Sequence, residues 1–418
     1  MSLQDSSISD NDGRPAVSRR GFVAGAAAAA AGISLVDARL VFGSEANSKI
    51  NLGLIGCGHR GTWIAKLFQK HGGYNVVAGA DYFADRVNAF GDALDLKPAQ
   101  RFTGLTGYRR LLEQPLDAVA IESPPYFHPE QAMAAVDAGK HVYVAKPIAV
   151  DVPGCRTVEE SGLKATGKKL CFLVDFQTRA DEFYIEALQR IRGGAIGKFA
   201  FGEATYHAGI PWGAQLEALQ SHPQDAEARL RAWGLDRALS GDVITEQNIH
   251  TLDVASWIMD QPPLCAFGTG AQKVRNFGNC CDTFSVVFLY PDDVGITFSS
   301  RQFEGHGTQP EGIRNRMFGS DGVLEAAYGG KVFIRGKHFW HGGSSPQIYQ
   351  QGAVTNIAAF HTAIQQGDVR NPTVAPSVRS TLVTILGRSA AYRKQIVSWD
   401  EVLKSTERLD PALKGLKG

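Results

Sequence analysis

The chain has 418 residues, of which 44% are hydrophobic, and a formal net charge of +1. This length suits a globular enzyme of about two domains, at roughly 150 residues per domain. Lysine and arginine are scattered without any block of like charge, so the charge pattern argues against a nucleic acid partner and against an anionic membrane surface. The six cysteines lack metal-ligand spacing, and we expect buried free thiols rather than a zinc site.

The first segment, residues 1–46, is interpreted as an export signal. The sequence SRRGFV at 18–23 places paired arginines before an alanine-rich apolar stretch, the pattern of a twin-arginine signal. Cleavage is expected near Asn47, with Ala38 as the alternative. We therefore expect a periplasmic or secreted protein, exported folded by the twin-arginine machinery and without a membrane segment in its mature form. A nucleotide captured before export would then leave with the protein, tightly held.

The next segment carries a dinucleotide-binding pattern. A strand predicted over 49–55 is followed by a turn that opens a helix, and the six candidate nucleotide ligands of this turn are Gly56, Cys57, Gly58, His59, Arg60 and Gly61. The first glycine permits the tight turn, the second lets the backbone approach a pyrophosphate, and the third lets helix and strand pack closely.

A second predicted strand, 74–80, ends at Asp81, 20 residues after Gly61. A carboxylate at this spacing accepts a hydrogen bond from the ribose 2′-hydroxyl and repels a 2′-phosphate, so it favours NAD over NADP. Arg86 keeps NADP open as the less favoured alternative, because its charge could meet a phosphate. A purely structural interpretation, in which Asp81 only caps the following turn, also stays open.

Strands and helices continue to alternate through residues 47–170, which predicts a Rossmann domain with a doubly wound parallel sheet. Strands predicted at 118–122 and 142–144 end in short polar segments, and ligands bind at the carboxyl edge of such a sheet. The candidate nucleotide ligands of these segments are Ser123, Pro124, His128, Lys146 and Pro147. Lys146 is also a candidate catalytic group.

These motifs together resemble the Gfo/Idh/MocA family, which includes glucose-fructose oxidoreductase and inositol dehydrogenase. The resemblance rests on the glycine motif, SPPYFH at 123–128, AGKHV at 138–142 and the Lys146-Pro147 pair, and it covers nearly all of the chain after the signal. It implies a second α/β domain over 171–418, with a large, open, mostly antiparallel sheet that often serves as an oligomer surface. We therefore expect a homo-oligomer, and C-terminal helices that return towards the first domain.

The resemblance also implies a catalytic lysine before proline and an Asp-x-Gly-x-His segment on a helix. Carried over by position, the two catalytic groups are Lys146 and His250, while Glu246 holds the aspartate position and Asn248 the glycine position. Ala145 stands where the family commonly has glutamate. Loss of that negative neighbour is expected to leave the Lys146 ammonium less stabilised.

The residue types suit oxidation of a secondary alcohol. A neutral histidine can take the hydroxyl proton while hydride leaves the same carbon, so His250 is the predicted general base. Glu246, one helical turn away, is expected to orient the imidazole or to bind a substrate hydroxyl. Lys146 is expected to stabilise the negative charge that develops on the reacting oxygen. The candidate substrate contacts are Arg179, Tyr206, Trp212 and Asn248.

Structural alternatives and three functions stay open. Lys146 and His250 have structural interpretations as a cofactor contact and a core histidine, and the polar stretch 215–231 is either a lid or an oligomer contact. The first function is an NAD(P)-dependent oxidoreductase acting on a secondary hydroxyl of a sugar, glycoside or cyclitol. The second is a glycoside-cleaving enzyme that oxidises its substrate transiently so that elimination becomes possible. The third is a nucleotide-binding protein without catalysis, motivated by Ala145 and Glu246.

Overall fold

The structure, a computed structural model, describes residues 49–210, 216–309 and 311–418. The predicted export signal and Trp212 lie outside the described residues, and nothing structural bears on either. Residues 50–418 form a single unit in which both sheets are joined.

The first sheet contains six parallel strands. They are β1 (Ile50–Ile55), β2 (Tyr74–Asp81), β3 (Arg101–Thr103), β4 (Ala118–Ile121), β5 (His141–Ala145) and β6 (Phe172–Asp175). Their order is β3-β2-β1-β4-β5-β6, so the connection reverses direction between β1 and β4. In a doubly wound sheet this reversal is the point at which ligands bind. The sixth strand lies beyond the boundary predicted at residue 170, which therefore falls too early.

Helices cover both faces of this sheet. They are α1 (His59–His71), α2 (Ala84–Ala93), α3 (Gly107–Leu112), α4 (His128–Asp137) and α5 (Val152–Gly167). Parallel strands covered on both sides are apolar along their whole length, and every residue of β4, with the sequence AVAI, is buried. Because the strands themselves are buried, the polar residues directly after each strand are the first that a ligand can contact.

The second sheet contains nine strands. They are β7 (Phe199–Ala208), β8 (Cys265–Ala271), β9 (Thr283–Tyr290), β10 (Val294–Gln302), β11 (Gly312–Gly319), β12 (Gly322–Ala327), β13 (Lys331–Gly336), β14 (Trp340–Ser344) and β15 (Val397–Ser398). Their order is β14-β13-β12-β11-β7-β10-β9-β8-β15, and all neighbours are antiparallel except β7 and β10. The predicted fold class, a Rossmann domain followed by an open and mostly antiparallel sheet, is confirmed.

The second domain also supplies nine described α-helices. They are α6 (Glu182–Arg192), α7 (Leu216–Ser221), α8 (Ala226–Arg231), α9 (Arg237–Ser240), α10 (Val243–Glu246), α11 (Ile249–Met259), α12 (Ile348–Gln366), α13 (Val374–Arg393) and α14 (Trp399–Leu403). Helix α12 packs against α1 and β6, while α13 packs against α5 and β8. The C-terminal part of the chain thus ties the two sheets together.

The two faces of the second sheet differ in composition. Strand β9 alternates strictly, with Phe284, Val286 and Phe288 buried against the helices and the residues between them on the opposite face. That opposite face exposes large apolar side chains, among them Phe267 and Val287. This is the surface to which the homo-oligomer prediction refers, and the oligomer stays a prediction.

All six cysteines are free thiols, and five of them are buried. Across the described ranges, no three histidine, cysteine or acidic side chains are grouped so as to hold a metal ion. No helix in those ranges combines the length and apolarity required to cross a bilayer.

Candidate functional site

A cleft of about 960 Å³ opens at the carboxyl end of the first sheet and is lined from both domains. It brings together most of the residues singled out from the sequence. Those that line it are Gly56, Cys57, Gly58, His59, Arg60, Gly61, Asp81, Ser123, Pro124, His128, Lys146, Tyr206, Glu246 and His250. Because they come from distant parts of the chain, their convergence is the main reason to regard this cleft as the functional site.

The glycine turn has the geometry that a dinucleotide requires. Gly56 has φ +95°, and a Cβ there would lie 2.5 Å from the backbone of Glu122, so only glycine is accommodated. A Cβ on Gly61 would lie 1.8 Å from the Gly56 carbonyl oxygen, so α1 can pack on β1 only without a side chain there. A Cβ on Gly58 would meet only the Arg86 side chain, at 4.0 Å, so the backbone at Gly58 is accessible from the cleft, as approach of a pyrophosphate requires.

Asp81 caps the turn and also lines the cleft. Its carboxylate accepts hydrogen bonds from the backbone N–H groups of Cys57 at 2.8 Å and Phe83 at 2.9 Å. Burial raises the pKa of this carboxyl, although both N–H groups oppose the change. Each carboxylate oxygen can accept a second bond. The capping and ribose-binding interpretations are therefore compatible with each other.

An apolar side pocket continues from Asp81 and suits an adenine ring. Its lining residues include Tyr82, Phe83, Leu105, Phe127 and Leu230. Leu230 belongs to α8, so the second domain reaches over the nucleotide site of the first.

Specific side-chain pairs hold α8 of the second domain against the nucleotide site of the first. Tyr82 donates to Glu227 at 2.6 Å, and Arg231 bonds both carboxylate oxygens of Asp85. Leu230 is buried against Phe83. We call residues 226–231 the nucleotide cover. This contact supports the lid interpretation for residues 226–231 alone, and the choice between lid and oligomer contact stays open for the rest of the stretch 215–231.

Glu246 binds the Lys146 ammonium, whereas the sequence predicted that Glu246 orients the imidazole or binds a substrate hydroxyl. The ammonium donates to the Glu246 carbonyl at 2.6 Å and to the Glu246 carboxylate at 3.2 Å, and both side chains are 11% exposed. Ala145 was expected to leave the Lys146 ammonium less stabilised, but a carboxylate does face this ammonium in the structure. The carboxylate is supplied from the other domain instead.

Glu246 does not share a continuous helix with His250, and this corrects its predicted role. Helix α10 ends at Glu246 and α11 begins at Ile249, so the i and i+4 relation assumed from the sequence is broken at Gln247–Asn248. The Glu246 side chain turns to Lys146 rather than to the imidazole. Gln247, which the sequence did not single out, lines the cleft at this break.

His250 lines the cleft as a neutral imidazole. Burial, followed by the nearby charges of Lys146 and Arg60, holds its pKa well below the usual range. Its Nδ1 is buried without a hydrogen-bond partner in the structure, and its ring lies 5.3 Å from that of Tyr328. The imidazole is therefore unprotonated at neutral pH, which is the form that a general base requires.

Several predicted ligands have structural roles instead. Arg179 forms a two-pronged ion pair with buried Asp253 and does not line the cleft, so its role as a substrate contact stays a prediction that the structure does not support. Asn248 is fully buried beneath the helix break and also lies outside the cleft lining. Tyr206 does line the cleft, and burial raises the pKa of its hydroxyl above the usual range.

His128 and Pro147 position the strand ends rather than contact the cofactor through their own polar atoms. The His128 ring nitrogens lie 2.8 Å from the Pro147 carbonyl oxygen and 2.7 Å from the Ser123 carbonyl oxygen. Burial lowers the pKa of His128 to about 4. Pro147 follows a cis peptide bond and does not line the cleft. Ser123 donates to Gln131 at 2.5 Å.

A buried charge cluster at the cleft floor was missed from the sequence. Arg60 donates to Glu122 at 2.9 Å, to Asp175 at 2.6 Å and to the Tyr349 hydroxyl at 2.6 Å. Both carboxylate side chains have no exposed surface. An acid at the end of each apolar strand was the only signal in the sequence, and nothing in it paired them with an arginine of the glycine motif.

Comparison with known proteins agrees with this architecture. Residues 50–172 match the family model described as "Oxidoreductase family, NAD-binding Rossmann fold", and residues 184–325 match the model of the GFO/IDH/MocA C-terminal domain. An inositol 2-dehydrogenase of Klebsiella pneumoniae is 34% identical over 212 residues, covering 50% of this chain and 55% of the relative. The chain thus spans about half the length of that relative.

Two further proteins extend the comparison. A glycosyl hydrolase family 109 protein of Shewanella pealeana is 28% identical over 177 residues, covering 41% of this chain and 38% of the relative. The crystal structure of aldose-aldose oxidoreductase from Caulobacter crescentus, complexed with glycerol, superposes with a TM-score of 0.66 at 20% identity, over 84% of this chain and 99% of that chain. At this identity the structural likeness shows the shared fold alone.

Proposed function

The chain belongs to the Gfo/Idh/MocA family, with that family's NAD-binding Rossmann domain, and from this premise we propose that it is an NAD-dependent oxidoreductase acting on a secondary hydroxyl of a sugar, glycoside or cyclitol. The observation that carries the proposal is the convergence of Lys146 and His250 in the cleft, beside the glycine turn. The bound nicotinamide would accept hydride from the substrate carbon. His250 accepts the hydroxyl proton, and Lys146 stabilises charge on the oxygen.

The test is an assay of the purified protein against a panel of sugars, cyclitols and glycosides. Appearance of the near-ultraviolet absorbance of reduced nicotinamide, with a ketone product and no bond cleavage, is the expected result. No absorbance change with any compound would reject catalysis and leave the nucleotide-binding alternative.

A second candidate function is glycoside cleavage through transient oxidation. It is favoured by the likeness to the family 109 glycosyl hydrolase and by the nucleotide cover, which suits a cofactor that is reset in its own site. In the same panel, release of an aglycone without net reduction of the nicotinamide would select this function over the first.

Retention of the cofactor depends on the nucleotide cover, and we expect Leu230→Ala to weaken it. Leu230 is 3% exposed and packs on Phe83, and truncating a buried leucine costs about 2–5 kcal/mol. If the contact between the cover and Phe83 loses ~1.4 kcal/mol of this free energy, NAD is released about tenfold faster. Exchange of bound NAD against labelled NAD measures the rate. Leu163→Ala, at a side chain 72% exposed, is the control, and an unchanged rate in Leu230→Ala would contradict the role of the cover.

We also propose export of the folded protein by the twin-arginine route, on the support of the SRRGFV sequence at 18–23. Replacing Arg19 and Arg20 with lysine is expected to keep the protein in the cytoplasm, while a Lys49→Arg variant is exported normally. Cell fractionation followed by immunodetection measures both. Export of the double variant at the normal level would refute this route.

A further inference from the structure

Three neighbouring strands of the first sheet end at the same level on the cleft floor. Val144 pairs with Ile121 and Ala145 with Asp175, so Glu122, Ala145 and Asp175 follow one another across β4, β5 and β6. The Arg60 guanidinium bonds Glu122 on one side and Asp175 on the other. It therefore spans the strand that carries Ala145, whose methyl group leaves this space free.

The two carboxylates that share Arg60 are not equivalent. Asp175 accepts hydrogen bonds from Arg60, from Gln177 at 3.1 Å and from Asn356 at 2.7 Å. Glu122 accepts only from Arg60 through Oε2, while its buried Oε1 has no partner in the structure. One guanidinium cannot compensate two buried carboxylates, and a carboxylate with fewer donors is the less stable anion. A proton entering the cluster therefore goes to Glu122.

Glu122 lies where the two halves of a dinucleotide meet. Its backbone abuts Gly56 of the glycine turn, and its strand borders the point at which the sheet order reverses. Glu122 lines the cleft beside Lys146, which directly follows the adjacent strand, and the Glu122 carboxylate is fully buried beneath the cleft surface. In a doubly wound sheet the ligand crosses here, which places the nicotinamide half over β4 and β5.

We propose that Glu122 is a charge-switching residue of the nicotinamide site, ionised beside the oxidised, cationic ring and protonated at Oε1 beside the reduced, neutral ring. The inference rests on the proposed NAD-dependent function. A carboxylate stabilises the cationic ring as its counter-charge, and loss of that positive charge makes the buried carboxylate less favourable.

The balance of the step is simple. Oxidation of the alcohol breaks a C–H and an O–H bond, the hydride carries two electrons to NAD⁺, and the hydroxyl proton, accepted first by His250, passes to the Glu122 carboxylate. The reverse reaction returns both, so no second oxidant or reductant is required. The cleft then stores the hydride and the proton together between two half-reactions.

The surroundings of Glu122 allow this titration near neutral pH. Burial raises its pKa to about 7, with Arg60 opposing the rise and Asp175 adding to it. The charged and titratable groups nearby are Arg60 on α1, Tyr143 on β5, Lys146 directly after β5, Asp175 on β6, His250 on α11 and Tyr349 on α12. His250 stays neutral across this range, because its own pKa is held well below the usual value.

The test is the ratio of NAD⁺ to NADH that the purified protein retains at equilibrium with a mixture of both, measured from about pH 5 to pH 9. We expect the bound ratio of NAD⁺ to NADH to rise with pH through the pKa of Glu122, with a slope of at most about tenfold per pH unit. Glu122→Gln should abolish the rise. Asp175→Asn should move it to lower pH, because Arg60 then serves Glu122 alone.

The outcomes separate the two proposals. A ratio that still rises with pH in Glu122→Gln overturns the charge switch. If Glu122→Gln does not fold, the Asp175→Asn variant provides the test. A rise of the bound NAD⁺ to NADH ratio at the same pH as in the native protein would then overturn the charge switch. Failure of the proposed function would show differently, as absence of nucleotide binding or of any substrate-driven reduction, whereas failure of the charge switch leaves both intact.

Discussion

Lys146→Ala is expected to lower kcat about 10²–10³-fold while the protein keeps its nucleotide. Lys146 stands at the cleft surface with its ammonium fixed by the Glu246 carbonyl and carboxylate, so it is preorganised to donate to an oxygen that gains negative charge. Removal of one such donor in other enzymes costs a factor of this size. Steady-state rates on the best compound of the substrate panel measure the loss.

The variant needs two controls, because removing Lys146 leaves the largely buried Glu246 carboxylate without its cation. Thermal unfolding of Lys146→Ala shows whether Glu246 destabilises the fold, and Lys70→Ala, at an exposed position late in α1, shows the effect of losing any lysine. A folded Lys146→Ala protein with full turnover would rule out the proposed role of this residue.

The parallel first sheet and the position of the site were accessible from the sequence for a physical reason. A glycine turn between a buried strand and a helix has one structural solution, and the strand ends of a parallel sheet converge on the same edge. The environments at Gly56 and Gly61 agree with that expectation. Short edge strands such as Val397–Ser398 were not predicted, because two residues carry no periodicity.

The contacts inside the site were less accessible, because they depend on tertiary packing. A helix read from Glu246 to His250 places both on one face, yet the chain breaks after Glu246, and its side chain pairs with Lys146 instead. Likewise, Arg179 is as polar as any substrate ligand, and only its partner Asp253 reveals a structural role. Sequence periodicity cannot indicate which partner a charged side chain selects across a domain boundary.

The missing glutamate at position 145 illustrates the same limit. From the sequence, Ala145 indicated a weakened site and motivated the alternative of a protein without catalysis. In the structure two carboxylates flank it from neighbouring strands, and Glu246 compensates Lys146. The observation that had argued against catalysis therefore loses its force, because the local charge is redistributed rather than lost.

His250→Gln is expected to lower kcat/KM about 10²–10⁴-fold, the usual contribution of a general base. Its pKa is held well below the ordinary histidine range, first by burial and then by Lys146 and Arg60. The base must be unprotonated to act, so its contribution is present at neutral pH and is lost as the pH falls through the lowered pKa.

The pH profile of kcat/KM therefore distinguishes His250 from a histidine that only packs. The native protein should show an acidic limb below the ordinary histidine range, and His250→Gln should lose it, while His222→Gln, at an exposed histidine, should keep both rate and limb. An inflection near neutral pH belongs to Glu122 and should persist in His250→Gln. A His250→Gln variant that retains native kcat/KM would show that His250 is a core residue and not the general base.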